Sequence, residues 1–595
     1  MPFLLGLPGG FVFDDYPVLL EADAVRLTTL TLPGLVDAAF AYDPAGGLPR
    51  PLVNASFALN HWLSGLDPAA FKLTNIALHA LNGLLLFALV RRLLQTLGLG
   101  ARADFAAVAV AVVWLVHPLQ VSTVLYIVQR MEMAYATFLL VAAWAYVAFR
   151  IRLLASGNLS WPLALTSLAA AALAWTAKEN AAVIPYLLLA IELIVFRCRA
   201  AHPHQARALR LLTVAGVAIG ALALIALYGY GVANSERFIA RDFGPIERLA
   251  SQAVIVPFYL GLIIAPRPDA MLFYYDHWAL RDWTGGEVAA GIALIVLLLA
   301  VAWRQRNSRP LVSLGIVWFF AGHLVTSAPL PLELAFEHRN YVPSAGVVIA
   351  MLGVVLPLLD RAAPALRLAI PLALAALVAV TGLRSAYWAD IDLMSRYKVD
   401  INPTSMRARM DYGERYMLAA NRDPASPLTA EAIAQFEQVT RLPQGSILGE
   451  HALVLLAAGF GMPAESWWWT SMERKVASNI LRPQDAEALI GLVEQRLEGL
   501  PLDDRALLRI TLAAARRDSL SAEVLLLFAT HAASVPEAGD ATLELLARGR
   551  RQAASDREYL DRIDRGIHAM GGDDLLHLVR QAQARLEQNH RGSTP

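Results

Sequence analysis

Ten apolar runs, each cut from the next by a short polar break, leave this chain almost no way to fold in water. They cover residues 71–93, 105–118, 121–149, 161–176, 181–196, 209–228, 288–303, 311–326, 341–359 and 368–383. Each is apolar all round rather than along one stripe, and most approach the roughly 17–25 residues a helix needs to cross a bilayer. Only 17% of the chain is charged and its mean hydropathy is +0.48, so a polytopic membrane helical bundle is expected. A formal net charge of +0 gives no basic field for nucleic acid, and the single cysteine, Cys198, rules out an intrachain disulfide or a cysteine-built zinc site.

Orientation follows from the arginines. Arg91, Arg92 and Arg102, then Arg150 and Arg152, then Arg197, Arg199, Arg207 and Arg210, then Arg304, Arg306 and Arg309, then Arg361 and Arg367 fall on alternate loops, which are assigned to the cytoplasm. The other loops are then extracytoplasmic: residues 1–70, the turn at His117, Lys178-Glu179, residues 229–287, and the stretch 333–340. This alternation closes only if the apolar piece 253–266, with Pro257 and Pro266, lies along the interface or re-enters; beyond it Tyr274, Tyr275, His277, Trp278 and Trp283 would frame a sugar or acceptor or, the simpler reading, anchor the loop at the head groups. Residues 1–10 are too short for a span, which suggests a first membrane helix upstream or a translocated tail.

Residues 1–70 therefore read as an external loop, 71–386 as the membrane domain, and 387–595 as a soluble extracytoplasmic helical domain. In the last part, charge returns in amphipathic patterns over 430–440, 485–497, 504–517 and 573–588, as in a helix-pair solenoid, although no clean repeat of roughly 34 residues emerges. Its Trp467-Trp468-Trp469 triplet cannot face one core from one helix, so at least one indole should meet an interface, the bilayer or a ligand.

Polar residues inside the runs need explaining. Lys72, Asn75, His79 and Asn82 form one stripe on one helix face, suited either to interhelical hydrogen bonds or to contact with a ligand. Charges gather on the external turns: Asp14-Asp15, Arg50, His117, Arg130 and Glu132, Lys178-Glu179, and Glu337-His338-Arg339 before Tyr341. Arg130, Lys178 and Arg339 suit the phosphate of a lipid-borne head group, and the Asp14-Asp15 pair offers an acceptor for a proton. Together they point to group transfer from a lipid phosphate. The less specific reading pairs Lys178 with Glu179 and Arg339 with Glu337 inside the interface.

The ordered series Phe11-Val12-Phe13-Asp14-Asp15-Tyr16, Arg50-Pro51-Leu52, His79-Ala80-Leu81-Asn82, His117-Pro118, Gln129-Arg130-Met131-Glu132, Lys178-Glu179 and Glu337-His338-Arg339-Asn340-Tyr341 resembles the motifs of the transmembrane and tetratricopeptide-repeat O-mannosyltransferase group and its bacterial relatives. The resemblance implies a class C glycosyltransferase fold with one membrane helix more than the ten runs supply, in a bacterial inner membrane with the C-terminal domain periplasmic. It also implies a polyprenyl-phosphate sugar donor and an inverting transfer to a hydroxyl of a protein, glycan or lipid acceptor. Asp14 or Asp15 would be the base, with Asp14 favoured by analogy and the other acid holding the loop. Arg130, Lys178 and Arg339 would bind the donor phosphate, and Arg50, His79, Asn82, His117, Glu132, Glu179, Glu337, His338 and Tyr341 would line the site. No cofactor is expected; the two carboxylates with His117 could ligate a hard divalent cation, but metal-independence is the favoured reading. A lipid-linked sugar transporter or a membrane-anchored scaffold are the competing classes, but the inverted repeats of a transporter are not evident, and a scaffold gives no reason for charges buried in the spans.

Overall fold

A computed structural model describes residues 2–41, 49–238, 241, 243–276, 278, 280–359, 364–443, 445–479, 481–517 and 520–591. His277 and Arg361 lie outside the described residues. Every regular element among those described is helical, and they fall into two compact units. The first comprises Met1–Phe238 with Phe243–Ile401; the second holds Asn402–Pro595.

The first unit begins with a short 3-10 turn, Pro2–Gly6, followed by two amphipathic helices, α1 (Leu32–Phe40) and α2 (Pro51–Ser64). Then come α3 (Pro68–Thr96), α4 (Arg102–Leu115), the single turn α5 (Val121–Leu125), α6 (Arg130–Ser156), α7 (Trp161–Trp175) and α8 (Ile184–Ile191). The remainder are α9 (Pro203–Ala233), α10 (Pro245–Ile264), α11 (Gly286–Gln305), α12 (Pro310–His323), α13 (Tyr341–Leu359), α14 (Pro364–Tyr387) and α15 (Ile391–Ile401). Among the described residues, eight helical segments are long and apolar enough to cross a membrane, or nine if α4 and Pro118–Leu125, bent by 51° across His117, make one span. The chain is thus a multi-pass helical membrane protein.

Two expectations change here. Of the piece expected to lie along the interface or re-enter, residues 253–264 belong to α10, whose 20 residues are long and apolar enough for a span. Its polar residues escaped notice as membrane residues because they are spent on protein. Arg248 donates to the carbonyls of Thr326, Ala328, Leu332 and Glu333 at 2.6–3.0 Å, and Gln252 to that of Leu334 at 2.8 Å. Conversely α7, of 15 residues, and α12, of 14, are too short to count by the same measure.

Residues 2–10 are also built into the bundle. Phe3 is wholly buried with its ring edge-on to His79, and the Lys72 ammonium, itself buried in α3, donates to the carbonyls of Gly6 (2.9 Å), Gly9 (2.6 Å) and Trp388 (3.3 Å). Only glycine permits this at position 9: a Cβ there would stand 1.7 Å from the Trp388 carbonyl oxygen.

The second unit contains nine helical segments among its described residues, from Met406–Ala419 to Arg557–Arg591, the last broken at Gly571-Gly572, packed around one apolar core. The tryptophan triplet opens the helix Ser466–Ser478. Trp468 and Trp469 fill the core, at 3% and 5% exposure, whereas Trp467 is 39% exposed.

Candidate functional site

Asp14, Asp15, Arg50 and Lys178 meet one short segment, Tyr126–Glu132, where the chain breaks between α5 and α6, whereas His117, Glu337 and Arg339 find partners elsewhere. Phe13 starts the arrangement from the other side. Its φ of +45° lies in the left-handed region that a bulky residue rarely adopts. The resulting turn sends the two acids different ways. Asp15 is fully buried: one carboxylate oxygen accepts from Val12 N at 3.0 Å and the other from Val128 N at 2.8 Å. Asp14 is half-buried, and its backbone N–H donates to the Tyr126 hydroxyl at 3.0 Å. The holding role expected of one member of the pair is thus carried by Asp15.

Phe13 itself is gripped by aromatic rings. It meets Phe273 and Tyr274 edge-on at 6.4 and 5.6 Å, and the Lys398 ammonium sits over those two rings at 4.4 and 5.1 Å. Tyr274 and Tyr275 are therefore interior residues rather than head-group anchors, at 6% and 5% exposure.

Burial pushes the Asp15 carboxyl up to about 7, with repulsion from Asp14 in the same direction and the two backbone hydrogen bonds and Lys72 opposing it. Between the ordinary value of 3.8 and about 7, the folded loop holds a proton that the unfolded chain has lost. The protonated form therefore favours folding, and stability contributed at this group falls as pH rises through that window. Thermal unfolding in detergent should show the wild type losing stability from about pH 4 to about pH 7, and Asp15→Asn losing less. Equal slopes would contradict the assignment.

Two residues beyond Val128, Arg130 is completely enclosed. Its guanidinium donates to Asn75 (2.8 Å), the Ser56 carbonyl and hydroxyl (3.1 and 3.3 Å), Asn60 (2.8 Å) and the Phe71 carbonyl (3.1 Å), and lies over the Phe57 ring at 4.6 Å. This arginine clasps α2 and α3 to α6, so every nitrogen that could meet a phosphate already has a protein acceptor. Next along, the Met131 sulfur accepts from Arg50 Nη1 at 3.0 Å, and Arg50 also embraces Glu179 at 3.0–3.3 Å. Glu132 then pairs with Lys178 at 2.6 Å and accepts from Asn180 at 3.3 Å. Lys178, Arg339 and Arg50 all lie within electrostatic reach of the His338 ring, which stacks on Phe336. Arg339 is itself tied to the Leu334 carbonyl at 3.1 Å.

The ion pairs differ from the neighbour-to-neighbour pairing considered from sequence. Lys178 takes Glu132, Glu179 takes Arg50, and Glu337 takes Arg384 at 3.0 and 3.1 Å.

Other expected site residues hold helices together. His79 joins the Tyr341 hydroxyl (2.8 Å) to the Leu115 carbonyl (3.0 Å). Asn82 donates to the Met133 carbonyl (2.9 Å) and the Tyr341 hydroxyl (3.1 Å). His117 accepts from Leu119 N at 3.2 Å and contacts the Ile263 carbonyl at 2.9 Å. Of the two uses open to the polar stripe on α3, the structure displays hydrogen bonds to protein at all four positions: His79 and Asn82 join other helices, Asn75 accepts from Arg130 and reaches the Ile127 carbonyl at 3.2 Å, and Lys72 holds the N-terminal carbonyls. Among the described residues no group of three or more His, Cys, Asp or Glu is arranged to hold a metal ion.

The residues missed from sequence are Arg384, Tyr126, Ser56, Asn60 and Asn180. Asn60 and Arg384 show no chemistry in the sequence until their partners, 70 and 47 positions away, are known.

No family model matches the chain, and no solved structure matches it. Over 183 residues it is 27% identical to the protein O-mannosyl-transferase Tmtc1 of Drosophila melanogaster, an alignment covering 30% of this chain and about a fifth (20%) of that relative's length. The similarity is weak and partial, and it is to a glycosyltransferase.

Proposed function

We propose that the protein is an integral-membrane glycosyltransferase that moves a sugar from a polyprenyl-phosphate donor to a hydroxyl acceptor on the extracytoplasmic side, with inversion. Asp14 takes the proton of the acceptor hydroxyl, whose oxygen forms a bond to the anomeric carbon. The bond from that carbon to the phosphate oxygen breaks, and the polyprenyl phosphate leaves with the electron pair. Lys178 and Arg339 receive the donor phosphate, supported by the field of Arg50. Arg130 shapes the site from behind, because its donors are committed to Asn75, Ser56, Asn60 and Phe71.

One observation carries this reading: Asp15 and the Asp14 backbone are both bonded to the segment that leads, within a few residues, to Glu132 and its partner Lys178. A strained turn held from both sides is the kind of arrangement that fixes a reacting group in advance. The similarity to a protein O-mannosyl-transferase supports the same class of reaction.

The phosphate role is tested at Lys178. Lys178→Gln should raise the donor KM about 10–100-fold, the worth of one charged hydrogen bond, with a smaller change in kcat, while Lys178→Arg keeps most of the affinity. Initial rates of sugar transfer at varied donor and saturating acceptor give the answer, and an unchanged donor KM in Lys178→Gln would remove the lysine from the donor site.

A further inference from the structure

The helix Ser466–Ser478 of the second unit separates its residues by face. Trp468, Trp469, Met472 and Val476 point into the core, whereas Trp467, Thr470 and Arg474 share the outer stripe, with the buried Ser471 at its inner edge. With Thr440 and Arg441 they line an open cavity of about 640 Å³. A large indole left facing water on a domain that has buried its two neighbours calls for a partner.

The chemistry of this wall is specific. It contains no aliphatic side chain. The Trp467 ring is held upright by an edge-on contact with Trp468 at 6.2 Å. Arg474 donates to the Ser471 hydroxyl at 3.3 Å and has no carboxylate partner among the described residues. Arg441 meets only Glu437, at 3.6 Å on the exposed surface, a pair of small energetic weight. The acids nearby are already neutralised: Glu450 by Lys475 at 2.7 Å, beneath Ser471, and Glu473 by Arg509 at 3.0 Å.

We infer that this cavity binds an acidic glycan, with the C–H face of a pyranose ring stacked on Trp467 and a ring carboxylate received by Arg474 and Arg441. An indole provides the flat apolar surface a sugar face needs, and guanidinium groups bind carboxylate through paired hydrogen bonds. An acidic peptide would share the arginines, but it would find none of the apolar sockets or sheet edges that peptide recognition uses. The site lies wholly in the second unit and does not rest on the transferase reading.

Isothermal titration of the whole chain in detergent tests it, using a hyaluronan tetrasaccharide, a neutral chitin tetrasaccharide and an octaglutamate peptide. The uronate sugar should bind, more weakly as salt is raised, and better than either control. Trp467→Ala and Arg474→Gln should each weaken it about tenfold or more, with Trp467→Tyr staying within a few-fold of wild type. Arg474→Gln changes an exposed side chain and keeps the test open should Trp467→Ala fail to fold. Absence of uronate binding, a tighter complex with the peptide or the neutral sugar, or binding indifferent to both substitutions would overturn the inference.

Discussion

Replacing Asp14 by Asn should lower transfer about 10²–10⁴-fold with little change in the amount of folded protein, because the proposed general base is removed while its backbone contact remains. The contact in question is the Asp14 N–H bond to Tyr126, which asparagine keeps. Asp15→Asn behaves differently. An amide offers one oxygen where two backbone N–H groups, of Val12 and Val128, now find two, so a buried donor is stranded at a cost of about 1–3 kcal/mol. That variant loses folded protein first, and activity in proportion. Sugar transfer from a radiolabelled polyprenyl-phosphate donor, normalised to the folded fraction from size-exclusion chromatography, separates the two. Full activity per folded molecule in Asp14→Asn would refute the base assignment; near-total loss per folded molecule in Asp15→Asn would move it to the neighbour.

The same contrast shows how far the sequence could be read. That two adjacent acids would divide their work follows from chain geometry alone, since neighbours outside a helix point apart. Which acid faces inward depends on Phe13 adopting a positive φ, and a phenylalanine gives no sign of that. Lys178 poses the same problem. It sits in extended backbone at φ −162°, so its side chain diverges from that of Glu179 and finds Glu132 instead. The long apolar runs were legible because a bilayer tolerates little else, and α10 was not, because Glu247, Arg248, Ser251 and Gln252 in its first half give it the lowest mean hydropathy of the eight segments. Hydropathy registers what a helix carries, whereas α10 is decided by the carbonyls of residues 326–334 that its arginine and glutamine meet.

Breaking the Glu337–Arg384 pair produces the largest expected loss of folded protein. Both side chains are nearly fully buried, at 2% and 9% exposure, and are joined by two hydrogen bonds. Arg384 also donates to the Pro118 carbonyl at 2.7 Å and the Met271 carbonyl at 3.2 Å, so one guanidinium ties α14 to the break after α4, to the aromatic loop beyond α10 and to the turn before α13. Glu337→Ala leaves that cation buried without its counter-charge, a situation that costs about 3–5 kcal/mol. Arg384→Ala costs as much from the other side and releases the two carbonyls as well. A shape-matched double change, Glu337→Gln with Arg384→Met, should lose less than the sum of the two single alanine variants, since no unpaired charge remains. Thermal unfolding in detergent measures these differences. If Glu337 instead touched substrate, as its place in the motif series suggested, Glu337→Gln would retain a normal melting temperature and lose transfer. The bidentate pairing predicts the reverse, a lowered melting temperature with turnover per folded molecule preserved.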